Sequence, residues 1–148
     1  MRIILFILLS VCYGDIIYVP ADYSTIQEGI DAAIEDDTVL VAQGLYYENL
    51  KIEKSITLAS HAINDDLSEW YEFSTTFGQY ELTNDNIVNT IINGSHDTNG
   101  DTLQSTILIN SPANECIEPV IFGFTITGGD GTLVEEEIDT PNGPDIIH

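Results

Sequence analysis

The chain has 148 residues, 43% of them hydrophobic, with three Lys or Arg against 25 Asp or Glu and a formal net charge of −22. That length and apolar fraction suit one domain with its own core. The charge argues against nucleic acid, whose phosphates need Lys and Arg, and against docking on an anionic membrane; calcium, which takes oxygen ligands, is the cation such a surface suits.

Residues 1–14, MRIILFILLSVCYG, have the outline of a secretory signal. Arg2 is the positive end, Ile3 to Val11 is a short apolar run, and Gly14 is a small residue at a cleavage point. The run is too short to span a bilayer, which takes about 20 residues. A lipid anchor at Leu9-Ser-Val-Cys12 is the weaker alternative, because Val11 is bulky next to the cysteine. The expectation is a secreted or extracellular protein, with attachment to a cell surface left open and no membrane span once the signal is cleaved. The mature chain would keep Lys51 and Lys54 as its basic residues and Cys116 as its one cysteine. An intramolecular disulfide is then impossible, so packing and backbone hydrogen bonds must hold the fold. Cys116 reads as structural.

Asp15 to Val19 (DIIYV) is a short β-type run ended by Pro20. An amphipathic helix follows, from near Thr25 to near Glu35. Ser24 is its expected cap, with Gln27 completing a capping box. Ile26, Ile30, Ala33 and Ile34 share one face. From Val39 the period becomes two: Val39 and Val41, Leu50 and Ile52, Ile56 and Leu58 point inward, with Lys51 and Thr57 outward. Gly44 and Asn49 mark the bends. Strands this short and this close, without Asn-Gly or Asp-Gly hairpin turns, predict a coil. Each strand pairs with the one a full turn further on, in rungs of about 20 residues. Thr90–Gly94, Thr106–Ile109 and Phe124–Gly129 are further bursts of the same kind. Between them, at about 61–86, lies an insertion carrying Trp70, Tyr71, Phe73, Phe77 and Tyr80. These aromatics either pack the insertion against the coil or form a platform for sugar rings, with Trp70, Tyr71 and Phe73 as the candidate carbohydrate contacts.

The segment IYVPADYSTIQEGIDAAIEDDTVLVAQGLYYENLKIEKSITLAS resembles the N-terminal part of secreted right-handed parallel β-helix proteins of the pectin-lyase-like group. Its opening is also similar to that of pectin methylesterases, with a cap helix and a Gly-x-Tyr-x-Glu turn. NTIINGS and VIFGFTITGGDG resemble later rungs of bacterial β-helix repeat proteins. The resemblance covers about 16–60 and 89–131. It implies an all-β right-handed parallel β-helix, a solenoid with an N-terminal amphipathic cap helix, occupying 15–148. The tail GTLVEEEIDTPNGPDIIH reads as a loop leaving a rung, and the coil as the first part of a longer protein.

The resemblance implies polysaccharide chemistry, but its catalytic residues are missing here. Pectate lyases use calcium and an arginine base, and pectin methylesterases two aspartates and an arginine; residues 15–148 contain no arginine. Polygalacturonases use clustered aspartates with a histidine. Asp36-Asp37 and Asp65-Asp66 lie outside that motif, and solvated turns explain them. His61 and His96 are lone histidines without zinc-ligand spacing. Asp97-Thr-Asn-Gly-Asp101 has the alternating oxygens of a calcium loop, so Asp97, Asn99 and Asp101 are the candidate ligands. Thr102 replaces the required glycine, and Leu108 the closing glutamate. Gly128-Gly-Asp-Gly131 is a fainter match to a calcium repeat, with Leu133 where an aspartate belongs. Two functions follow as expectations. One is an adhesive or carbohydrate-binding scaffold, without a catalytic centre in this region, that meets a polysaccharide or cell-surface glycan. The other is the cap region of a polysaccharide lyase or glycoside hydrolase whose active groove lies downstream.

Overall fold

A computed structural model describes residues 14–66, 68, 70–95, 104–113, 115–132, 136–140 and 143–147. The signal-like segment lies outside these residues except for Gly14. In chain order the elements are β1 (Ile16–Val19), α1 (Ile26–Ala32), β2 (Thr38–Val41), β3 (Gly44–Tyr47), β4 (Leu50–Ile52) and β5 (Thr57–Ser60). A 3-10 turn (His61–Asn64), β6 (Tyr71–Ser74), β7 (Gln79–Leu82), α2 (Asp85–Val88) and β8 (Thr90–Asn93) follow. The chain continues through β9 (Ile107–Ile109), β10 (Val120–Phe122), β11 (Thr125–Thr127), β12 (Glu136–Thr140) and β13 (Gly143–Ile147).

The short bursts do form strands, and their pairing is parallel and non-sequential. The consecutive strands β2, β3 and β4 pair with β5, β8 and β9 respectively. β1 joins β2, β10 joins β5 and β11 joins β8. Parallel neighbours need a connection of about a dozen residues or more, commonly a helix. Between β2 and β5 that connection is made of β3 and β4. Registers align apolar residues into columns, such as Ile17–Val39–Leu58–Ile121. Val39, Leu50, Ile52, Leu58 and Ile92 have no exposed surface and form one cluster with Ile26 and Ile30 of α1.

The expected class, an all-β right-handed parallel β-helix, is corrected. The strands lie in several small separate sheets, in orders β1-β2-β5-β10, β11-β8-β3 and β4-β9, beside two antiparallel pairs, β6-β7 and β12-β13. With α1 and α2 the architecture is mixed α/β, and no single solenoid runs through it. Two stretches add elements that the expected class lacks. Residues 61–88 are not a plain insertion, since they form a 3-10 turn, an antiparallel ribbon and α2. The tail does not leave as a loop, since Glu136–Thr140 pairs antiparallel with Gly143–Ile147.

Helix α1 is shorter than its apolar pattern predicts, and its cap is one residue later. Thr25, not Ser24, is the N-cap, with Glu28 closing the capping box. Gln27 is occupied elsewhere. Its amide oxygen accepts from the Lys51 backbone N–H at 2.8 Å, and its Nε2 donates to the Lys51 carbonyl at 3.2 Å. The side chain thus takes the place of a strand along the open edge of β4. The helix ends at Ala33, whose backbone is extended, so Ile34 falls outside the apolar face and is 62% exposed.

Two charged residues from the strand region hold the helix ends. Glu48 follows β3, and its carboxylate accepts from the Ile26 and Gln27 backbone N–H groups, both at 2.9 Å. Lys54 donates from Nζ to the carbonyls of Ala33, Ile30 and Asp31 at 2.7, 3.0 and 3.2 Å. An anion at the N-terminus and a cation at the C-terminus both oppose the helix dipole. The Gly44-x-Tyr46-x-Glu48 turn therefore has a structural use here: Tyr46 bonds the Ala42 carbonyl and Glu48 docks the helix.

Candidate functional site: an uncovered aromatic ribbon

Strands β6 and β7 read Tyr-Glu-Phe-Ser and Gln-Tyr-Glu-Leu, an alternation of period two. Their register pairs Tyr71 with Leu82, Glu72 with Glu81, Phe73 with Tyr80, and Ser74 with Gln79. Successive side chains point to opposite faces, so Tyr71, Phe73, Tyr80 and Leu82 share one face. Glu72, Ser74, Gln79 and Glu81 share the other. At the tip Gly78 adopts φ +67°, a conformation that a residue with a Cβ rarely takes, and its N–H bonds the Ser74 carbonyl at 2.8 Å.

The apolar face is not buried. Tyr71, Phe73, Tyr80 and Leu82 are all exposed, Tyr80 at 69%. The packing alternative for the aromatics is therefore not what forms. The rings gather on one another instead. Tyr80 meets Tyr71 and Phe73 edge-on at centroid distances of 5.4 and 5.3 Å, and Trp70 lies 6.0 Å from Tyr71 at a tilt of 54°. Trp70, Tyr71 and Phe73 are thus brought together. Leu82 was missing from the expected platform, and Tyr80, at the centre of the group, was named among its aromatics but not as a candidate contact. The alternation Tyr80-Glu81-Leu82 was the signal that could have placed them.

The base of the ribbon is tied to the rest of the molecule by amides and a carboxylate. Asp65 Oδ2 accepts from Asn84 Nδ2 at 2.9 Å and Asn86 Nδ2 at 2.8 Å. Asn86 Oδ1 in turn accepts from Gln43 Nε2 at 2.9 Å. The Asn84 and Asn86 donors, with His61 contributing less, hold the Asp65 carboxyl below its ordinary range. Backbone bonds from Thr83 and Asn84 to the Trp70 carbonyl close the stem.

The other candidates fare differently. Asp97, Asn99, Asp101 and His96 lie outside the described residues. Asp37 is buried, and its carboxylate accepts from the Asp15 and Ile34 backbone N–H groups at 2.7 and 2.9 Å, a structural use. Asp66 accepts from the Ser68 N–H. In the Gly128–Gly131 turn, a Cβ on Gly129 would stand 2.6 Å from Thr106 Oγ1, so close packing accounts for that glycine. Cys116 is exposed rather than buried. It lines a cavity of about 440 Å³ together with Glu35, Asp36, Ser55 and Glu118. Among the described residues no group of three or more His, Cys, Asp or Glu is placed to share a metal ion. No helix among them is long and apolar enough to cross a membrane.

No family model, curated protein or solved structure matches the chain. The resemblance to pectin-lyase-like proteins therefore rests on the quoted segments alone, and the ribbon has to be read from its own chemistry.

Proposed function

We propose that this protein is an extracellular adhesive module that binds carbohydrate through the exposed aromatic face of the β6–β7 ribbon. The observation that carries the reading is the exposure of Tyr71, Phe73, Tyr80 and Leu82 on one ribbon face. A contiguous exposed apolar patch marks an interaction surface more often than chance. A two-stranded ribbon alone is marginal in water, so its residues are better explained by a ligand than by stability. Tyrosine and tryptophan suit sugars, because an apolar ring face sits beside a polar tip. The signal-like segment supports an extracellular setting.

The test is co-sedimentation with insoluble cell-wall polysaccharides. Tyr80→Ala combined with Phe73→Ala should abolish retention while leaving the melting temperature close to that of the parent, since both side chains are exposed. Retention that survives both changes sinks the reading.

A further inference from the structure

We infer that the ribbon selects uncharged glycans and turns away polyanionic ones, and that its own carboxylates make the selection. This rests on the carbohydrate reading above and adds the substrate class. Residues 61–95 contain six acidic residues and no Lys or Arg. Two of the acids, Glu72 and Glu81, are directly opposite one another across the ribbon, on the face behind the rings. Like charges so placed repel, and the described contacts give neither a cationic partner: the one ion pair among the described residues joins Lys51 to Glu53. The ribbon is one peptide layer thick. A ligand on the ring face therefore sits within the screening distance of both carboxylates, about 10 Å at 0.1 M salt. At Asp65, Asp66 and Asp85 the stem adds charge of the same sign.

A neutral pyranose loses nothing in this field and gains its stacking on the rings. A uronate or sulfate polymer brings a charge on every unit or two and meets repulsion without compensation. The charge of the whole chain, −22, acts in the same direction. The ribbon's share can be separated by substitution.

Trp70 is the only tryptophan in the chain and its ring lies 6.0 Å from that of Tyr71, so intrinsic emission reports on a neighbour of this face. The full chain is titrated with two matched polymer pairs: hydroxyethylcellulose against carboxymethylcellulose, and dextran against dextran sulfate. The expected result is a saturable emission change with a neutral polymer, at a midpoint that salt does not move. Its anionic counterpart should bind at least about tenfold more weakly at about 20 mM salt and recover at about 300 mM. Glu72→Gln combined with Glu81→Gln should narrow that gap. Equal midpoints at low salt overturn the selection but leave the carbohydrate reading standing. A gap that the double variant leaves untouched overturns its assignment to the ribbon. Silence with all four polymers takes down both.

Discussion

Two regions of this molecule use the same alphabet to opposite ends. In the body, alternating apolar residues on β2, β4, β5 and β8 vanish from solvent: Val39, Leu50, Leu58 and Ile92 are fully buried. In the ribbon, an equally regular alternation of Tyr71, Phe73, Tyr80 and Leu82 stays in water. Side-chain size does not decide it, since the ribbon carries the larger side chains; coverage does. Each body strand has a parallel neighbour, and α1 lies against β1, β2 and β4. The ring face of the ribbon has no such cover among the described residues. Period two thus predicts a two-faced strand, but it does not predict what lies on either face.

The sharpest way to break this comparison is to cut into both regions and watch stability. Leu58→Ala should cost about 2–5 kcal/mol, because it leaves a cavity in the buried cluster between Val39 and Ile121, whereas Tyr80→Ala should barely move the melting temperature. Chemical denaturation of the two variants in parallel checks this. A large loss from Tyr80→Ala would mean that the ribbon is part of the core after all.

A smaller effect is expected where the body is held by charge. Glu48→Gln removes the charged acceptor of two helix N–H groups. It should cost about 1–2 kcal/mol and fray α1 first. Amide exchange at Ile26 and Gln27 should rise ahead of exchange in β2 if Glu48 clamps the helix.

Acid should separate the regions again. Asn84 and Asn86 hold the Asp65 carboxyl below its ordinary value. For such a group the stabilising contribution is present above the ordinary carboxyl pKa and is lost as pH falls through the lower, folded value. The ribbon stem should therefore loosen in the acid range, seen as a Trp70 emission step that Asp65→Asn removes. An unchanged step in that variant would show that another group titrates.

The smallest expected change is a gain. Glu72→Gln relieves the like-charge pair with Glu81 and should stabilise the ribbon by less than ~1 kcal/mol. The gain should shrink as salt rises. A loss instead would mean that the Glu72 carboxylate has a favourable partner.

Much of the body was legible in the sequence, because local periodicity reports which residues face a common surface. Ile26 and Ile30 on the helix, and the inward pairs at Val39 and Val41, Leu50 and Ile52, and Ile56 and Leu58, are all buried as their spacing demands. Parallel, non-sequential pairing was legible too, from strands too close for hairpins. Tertiary structure alone decided the rest. Gln27 serves the edge of β4 and not a capping box, since the unpaired Lys51 N–H and carbonyl lie 24 residues away in sequence. Glu48 and Lys54 clamp α1 from beyond it. The architecture departs from one all-β solenoid because Tyr71–Ser74 pairs antiparallel with Gln79–Leu82 and Glu136–Thr140 with Gly143–Ile147, beside two helices. Whether an aromatic face is core or contact depends on what the rest of the chain lays over it, and for Tyr71, Phe73 and Tyr80 the described residues lay nothing there. Period is a property of a few neighbouring residues, whereas burial requires a partner that no local pattern encodes.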